Sequence, residues 1–159
     1  MIDRRRITAT IEGEFVVFLI GLRINNPLRI DKWLPTLLAM PRMTTELQNT
    51  PELGFLGAES WLSRTTIMIQ YWRSIDHLLQ YSKNTDAAHL PAWRKFNSSV
   101  KSYGGVGIWH ETYVIKPGNY ENVYVNMPEF GLGHVGVRTP AEGVLKNSSG
   151  RMRASKSLD

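Results

Sequence analysis

The apolar positions of this chain fall into four main stretches whose pattern predicts strands. Residues 14–25 and 106–115 are rich in β-branched residues and aromatics, a composition typical of strands. Residues 53–62 and 64–72 are also apolar and almost adjacent, as the arms of a hairpin are. Within the second arm, odd and even positions form two alternating sets, which is the periodicity of a strand. Residues 120–126 are a shorter candidate for a fifth strand.

Three other stretches predict helices. Residues 31–47 carry apolar side chains at helical spacing after Asp31, a suitable helix cap, and Pro41 predicts a kink or a division of that helix. Ser74 can cap a second helix, and Asp86 a third that continues to about Tyr103. The Gly-Gly pair that follows is a typical helix end.

The order of these elements is β-α-β-β-α-β, which predicts an α+β domain with the ferredoxin-like arrangement. We expect the domain to span residues 14–139, after an N-terminal extension (1–13) and before a flexible basic tail (140–159). A single four-stranded sheet with helices on one side leaves its other face bare. The sequence therefore predicts a homodimer, in which two such sheets pack face to face into a dimeric α+β barrel.

Charge and composition narrow the classes of function. The chain of 159 residues has no cysteine and a net charge of +5, but seven of its 19 basic residues lie in the predicted ends. Residues 7–145 then carry 12 basic and 12 acidic residues and are neutral, unlike the basic face typical of a nucleic-acid-binding protein. No apolar stretch is long enough for membrane insertion. We expect a cytoplasmic protein that binds neither nucleic acid nor the membrane interior, with basic ends that aid solubility.

Two histidines are the main candidates for chemistry. His89 precedes Leu90-Pro91-Ala92-Trp93 at a predicted helix start, and His110 lies in the last long strand. Strand alternation places His110 on one face and Glu111 on the other. If His110 faces the helices, it can exchange protons near neutral pH, whereas Glu111 is expected at the dimer interface, paired with Arg64 or Arg23. Each histidine taken alone is also compatible with a structural role.

Several large side chains can line a pocket for a flat apolar molecule, although they are equally what a hydrophobic core requires. The sequence contains no P-loop, no Gly-x-Ser-x-Gly and no His-Glu-x-x-His motif. The Gly131-Leu132-Gly133 segment is interpreted as a loop. The predicted pocket residues are Met68, Tyr71, Trp93 and Phe96.

The element order, together with Tyr71-Trp72-Arg73-Ser74, His89 and Trp93, resembles the dimeric α+β barrel proteins. That superfamily includes cofactor-free antibiotic-biosynthesis monooxygenases and haem proteins such as chlorite dismutases and haem-degrading monooxygenases. From about Glu14 to Pro140 the chain is similar to the small family described as fumagillin-pathway monooxygenase-like.

A narrower resemblance covers the C-terminal half. Residues 89–96, Trp109-His110-Glu111 and residues 120–126 look like the corresponding parts of haem-containing aldoxime dehydratases. In those enzymes a helical histidine is the proximal haem ligand and a strand histidine followed by glutamate is the distal acid–base group. The resemblance implies His89 as the iron ligand and His110 as the catalytic group. Aldoxime dehydratases are about twice as long, and their distal serine and arginine have no counterpart that aligns here.

Three functions stay open from the sequence. The first is an enzyme that binds haem b, with His89 on the iron and His110 giving a proton, as a dehydratase or a monooxygenase acting on a small hydrophobic substrate. The second is a cofactor-free monooxygenase in which a histidine removes a proton from an aromatic substrate that then reacts with dioxygen. The third is a carrier of haem or of a small hydrophobic molecule.

Overall fold

The structure is a computed structural model that describes residues 1–83 and 104–157. Its larger sheet contains β2 (Phe15–Ile24), β3 (Phe55–Trp61), β4 (Ile67–Trp72) and β5 (Val106–Ile115). These strands are antiparallel and lie in the order β3-β4-β2-β5. This is the strand order of the ferredoxin-like arrangement, so the predicted fold class is confirmed.

Two described helices pack on one face of this sheet, which we call the helix face. Helix α1 (Ile30–Gln48) follows β2, and α2 (Ile75–Lys83) follows β4. The Ser74 hydroxyl accepts the backbone N–H of His77 at 3.3 Å, as predicted for the cap of α2. Pro41 does not divide α1, which is assigned as one helix. The helix predicted over residues 86–103 lies outside the described residues.

The core of the helix face is built from large apolar side chains of β2, β3, β4 and both helices. The Trp72 indole is fully buried, and its ring centre lies 5.4 Å from that of Phe55 and 5.5 Å from that of Tyr81. Burying several aromatic rings together supplies much of the hydrophobic free energy of folding. The buried members of this core are Val16, Leu47, Phe55, Trp72, Leu78 and Tyr81.

The opposite face of the larger sheet, the outer face, is partly covered by segments that were mostly predicted to be an extension, a loop or a tail. The exception is the candidate fifth strand at residues 120–126, which overlaps an observed strand at Tyr124–Met127. A second, antiparallel sheet has the order β6-β1-β7, with β1 at Asp3–Thr10, β6 at Tyr124–Met127 and β7 at Val137–Pro140. The short helix α3 (Leu132–Val135) lies where a loop was expected. Residues 3–10 lie within the expected extension but form a paired strand. This strand was not predicted because its partners lie more than a hundred positions away in the chain.

The C-terminal segment is also structured rather than a flexible tail up to residue 157. After a 3-10 turn at Gly143–Lys146, helix α4 (Ser148–Lys156) begins at Asn147, whose side chain accepts the backbone N–H of Gly150 at 2.7 Å. Arg151 is buried and donates to the Glu121 carboxylate at 2.7 Å. Arg151, one of the basic residues counted in the expected tail, therefore forms a structural ion pair with Glu121.

Among the described helices, none has the length and apolar character needed to cross a membrane.

Candidate functional site

A cavity of about 300 Å³ opens on the helix face, between the sheet and the two helices. Strands β2, β4 and β5 form its floor, and α1 and α2 form its sides. The wall is mostly apolar, as expected for a site that takes a small hydrophobic molecule. The described lining residues are Phe18, Ile20, Met43, Gln70, Trp72, Ile75, Leu78, Leu79, Tyr81, Ser82, His110 and Thr112.

His110 lies in this cavity wall, on the face of β5 that it shares with Thr112 and opposite to that of Glu111, as the strand alternation separates them. It pairs with Ile20 across the β2–β5 ladder. Its imidazole is exposed, and the ring centre lies 5.8 Å from that of Phe18. A solvent-accessible imidazole beside an apolar surface can exchange protons with a molecule bound there.

A buried amide, missed in the reading of the sequence, also belongs to this wall. Gln70 is only 2% exposed and lies between Met68 and Trp72 on the same face of β4. Its Oε1 accepts the Trp72 indole N–H at 3.0 Å, and its Nε2 donates to the Met68 sulfur at 3.2 Å. The signal in the sequence was a glutamine at an inward position of a central strand, where polar side chains are costly to bury unless they are hydrogen-bonded.

Tyr81 contributes a hydroxyl group from α2. The hydroxyl donates to a carboxylate oxygen of Glu46 at 3.2 Å, which joins α2 to α1 beside the cavity. Burial, with the Glu46 carboxylate next to it, raises the pKa of Tyr81 above its ordinary value. Tyr81 therefore stays protonated at neutral pH and can act as a hydrogen-bond donor but not as a base.

The structure separates the two predicted pocket residues that it describes. Met68 lies on the helix face, in contact with Gln70. Tyr71 lies on the outer face, in a cluster with Ile11 and Phe15, so it does not share the cavity with His110. The reason is the two-residue period of β4, which turns neighbouring side chains to opposite faces. The remaining predicted residues, His89, Trp93 and Phe96, lie outside the described residues.

Around Tyr71 the outer face has polar groups that hold α3 against the sheet. Burial, together with the nearby Tyr124 and Glu59, raises the pKa of Tyr71 to about 12. The Glu59 carboxylate accepts the backbone N–H of Gly131 at 3.1 Å and lies 3.5 Å from Nδ1 of His134. These contacts hold the segment around α3 against the larger sheet, and we interpret them as structural.

Glu111 differs from the expected pattern in its partner. It lies on the outer face, where its carboxylate accepts the Tyr113 hydroxyl at 2.5 Å. The arginines predicted to pair with it have other contacts, since Arg23 donates to the Thr65 hydroxyl and Arg64 to the backbone carbonyl of Ile24. Because Glu111 is exposed, it does not need a cationic partner to offset burial.

Within residues 1–83 and 104–157, no three His, Cys, Asp or Glu side chains gather closely enough to hold a metal ion. Haem iron requires only one axial side chain. The predicted axial ligand, His89, lies outside these ranges, and the described apolar wall with one imidazole fits the side of a pocket for a flat hydrophobic molecule.

Comparison with known proteins places these features in context. A family model described as monooxygenase af470-like matches residues 15–132. Monooxygenase af470 of Aspergillus fumigatus is 27% identical over 145 residues, which cover 83% of this chain and 50% of that protein. The chain thus spans about half the length of this curated relative. The resemblance stated from the sequence is confirmed.

Two crystal structures of aldoxime dehydratases share the fold. The match to OxdRE in complex with butyraldoxime has a TM-score of 0.68 at 17% identity, and it covers 84% of this chain and 40% of the OxdRE chain. Another has a TM-score of 0.65 at 19% identity and covers 85% of this chain and 42% of its own. The similarity extends beyond the C-terminal half in which it was first noted.

Proposed function

The chain belongs to the monooxygenase af470-like family, and from this premise we propose that it acts as an oxygenase or lyase on a small hydrophobic substrate bound in the helix-face cavity. The observation that carries the proposal is the cavity itself, an apolar wall of about 300 Å³ that contains the imidazole of His110. An apolar pocket with a few convergent polar groups is the usual form of a small-molecule site, and imidazole can move a proton of a molecule bound there.

His110 is the proposed acid–base group. The described lining residues include two titratable side chains, Tyr81 and His110. Burial and the Glu46 carboxylate raise the pKa of Tyr81. His110 is the better candidate, because imidazole is the side chain best suited to moving a proton near neutral pH. It would give a proton to a departing hydroxyl group in a dehydration, or remove one from a phenol before oxygen reacts.

Haem b is the proposed cofactor, and His89 would ligate its iron. When bound, haem supplies the redox and Lewis-acid chemistry that side chains lack. What supports it is the shared fold with aldoxime dehydratases together with the apolar wall beside His110. The described residues would then cover an apolar surface, exclude water and hold a proton at His110.

An absorption titration with hemin tests the cofactor. We expect the wild-type protein and His134→Ala, a control on the exposed outer face, to develop a Soret band that saturates near one haem per chain. His89→Ala should lose the band because its iron ligand is gone. A band that persists in His89→Ala would exclude His89 as the ligand.

A wild-type protein that develops no specific band would favour the second candidate, a cofactor-free monooxygenase. That alternative is supported by the family to which the chain belongs and by a cavity that already contains a base. The colourless protein should then consume dioxygen with an electron-rich phenol. A protein that binds hemin or a hydrophobic probe but turns over no substrate would be a carrier.

Replacement of His110 tests its role under either candidate. The probes are butyraldoxime, followed as butyronitrile plus water, and an electron-rich phenol, followed as oxygen uptake. We expect His110→Asn to lower kcat by about 100-fold or more, the usual contribution of a general acid or base, while His134→Asn keeps it. Equal activity in the two variants would rule out proton transfer by His110.

We also propose a homodimer that covers the open part of the outer face. Tyr113 and Trp61 are 48% and 40% exposed there, so large side chains remain uncovered on this face. Light scattering should find a dimer for the wild type and for Val114→Lys, an equally exposed position on the helix face. Tyr113→Lys should be a monomer, and a dimer of that variant would contradict this interface.

A further inference from the structure

We infer that the amide group of Gln70 recognises a hydrogen-bond acceptor oxygen on the substrate, such as a carbonyl or a phenolic oxygen, and so determines specificity in the helix-face cavity. The inference rests on the proposed function, because it assigns the substrate class to the same cavity. It adds a residue to which neither the family nor the sequence pattern had given a role.

The position of Gln70 is unusual for a polar side chain. It occupies the central part of β4, paired with Phe18 on one side and Ala58 on the other, and it is 2% exposed. Burying an amide without hydrogen bonds costs several kcal/mol at most sites. An amide at this position is therefore either fully satisfied by the protein or available to a ligand.

The orientation of the amide follows from its partner. An indole N–H can only donate a hydrogen bond, so the atom 3.0 Å from Nε1 of Trp72 is the carbonyl oxygen of Gln70. The NH₂ group must then point away from Trp72. It lies 3.2 Å from the sulfur of Met68. Because the Trp72 indole is fully buried and in contact with the rings of Phe55 and Tyr81, its N–H has a fixed position, and this orientation of the amide follows from it.

The NH₂ group retains donor capacity for a ligand. A thioether sulfur is a weak acceptor, and this contact occupies no more than one of the two N–H bonds of Nε2. In the described parts of the chain, Met68 is the acceptor found for this nitrogen. Gln70 also lines the cavity, together with His110 and Thr112, so a bound molecule can receive the second N–H.

The sheet sets the distance between this donor and His110. Gln70 lies on β4 and His110 on β5, with β2 between them. Two strand spacings separate the backbones by about 10 Å across the sheet. Between them lie Phe18, which pairs with Gln70, and Ile20, which pairs with His110. This arrangement fits a substrate with an apolar middle, a reacting group near His110 and an acceptor oxygen near Gln70.

The test uses two probes of the same shape, acetophenone, which has a carbonyl oxygen, and ethylbenzene, which lacks it. Binding is measured by titration followed by protein NMR. One net hydrogen bond to a carbonyl is worth about a five- to tenfold preference, so we expect wild type to bind acetophenone more tightly by that factor. In Gln70→Leu the ratio should fall to about one, while Gln80→Leu, at an exposed position of α2, should keep the wild-type ratio.

A second readout does not depend on folding of the Gln70 variant. In ¹⁵N-labelled wild type, the side-chain NH₂ resonances of Gln70 should shift on addition of acetophenone and move far less with ethylbenzene. If both probes bind, yet the ratio is unchanged in Gln70→Leu or these resonances stay still, the role of Gln70 is overturned and the cavity remains a binding site. If neither probe binds wild type at millimolar concentration, both this inference and the proposed function of the cavity fail.

Discussion

The two faces of the four-stranded sheet carry similar aromatic side chains, but these line a cavity on one face and form a packed cluster on the other. On the helix face, Phe18, Trp72 and His110 surround an open cavity. On the outer face, Phe15 packs edge-on against Tyr120 at 5.1 Å, and the terminal segments fill the space above Tyr71. An aromatic residue in a strand thus indicates a binding wall or a filled core only after its face and what covers that face are known.

The sharpest way to test this contrast is to remove one phenylalanine from each face of β2. Phe15 is 1% exposed in the filled outer cluster, whereas Phe18 is partly exposed at the cavity. We expect Phe15→Ala to lower the free energy of unfolding by about 3–5 kcal/mol. Phe18→Ala should cost about 1 kcal/mol, because it enlarges a space that already exists. Urea unfolding at one protein concentration measures both; similar losses would mean that the faces are equally packed.

The next largest effect concerns whether the C-terminal helix is part of the folded unit. Arg151 is 6% exposed and donates to Glu121 as well as to the carbonyls of Leu145 and Lys146. Arg151→Met removes this donor from Glu121 and from the carbonyl of Leu145, whereas the carbonyl of Lys146 still accepts from Arg6, and we expect a loss of about 2 kcal/mol.

The matched control is Arg153→Met, which changes an exposed arginine of the same helix and should alter stability by less than about 0.5 kcal/mol. The same urea titration compares the two variants. Equal, small effects would indicate that α4 contributes little to the cooperative unit and that the expectation of a tail describes its energetics correctly.

The smallest effect on stability at neutral pH is expected from removing the hydroxyl of Tyr71 on the outer face. Its effect at alkaline pH is specific to that group. The raised pKa of Tyr71, about 12, means that the folded state retains this proton while the unfolded chain loses it near pH 10. The stability from the neutral hydroxyl is therefore complete below about pH 10 and is lost as the pH rises towards 12.

Tyr71→Phe should differ little from wild type at pH 7 and should lose less stability between pH 10 and 12. Thermal unfolding followed at both ends of that range measures this. Tyr81→Phe is the matched variant on the helix face, where the pKa is also raised by burial and Glu46. If Tyr71→Phe keeps the full alkaline loss of wild type, the hydroxyl of Tyr71 is not buried as the structure describes.

Much of the larger sheet could be predicted because its elements are encoded locally. The strand predicted at residues 106–115 coincides with β5, and that predicted at 14–25 contains β2. The alternation of side chains also put His110 and Glu111 on opposite faces of β5, and the structure shows that the face of His110 is the one towards the helices. The same alternation puts Tyr71 and Trp72 on opposite faces of β4. The prediction of Tyr71 as a pocket residue beside His110 did not take this change of face into account.

The segments that were missed depend on partners far away in the chain. Strand β1 begins Asp-Arg-Arg-Arg, with exposed side chains at positions 4–6, so its composition alone does not indicate a strand. It is fixed by β6 and β7 and by Asn122, whose side-chain amide bonds both the N–H and the carbonyl of Ala9 at 2.8 and 2.7 Å. No local pattern reveals such pairing.

By itself, the sequence determined the element order of the ferredoxin-like sheet and the separation of His110 from Glu111 onto opposite faces of β5, because strand period and helix capping act over a few neighbouring residues. Tertiary structure alone decided that the cavity lies on the face of His110, that the outer face is filled around Tyr71, how Trp72 orients the amide of Gln70, and that the chain ends join the fold. These features depend on packing between distant segments, where the free energy of a contact is set by what surrounds it and not by the residue type.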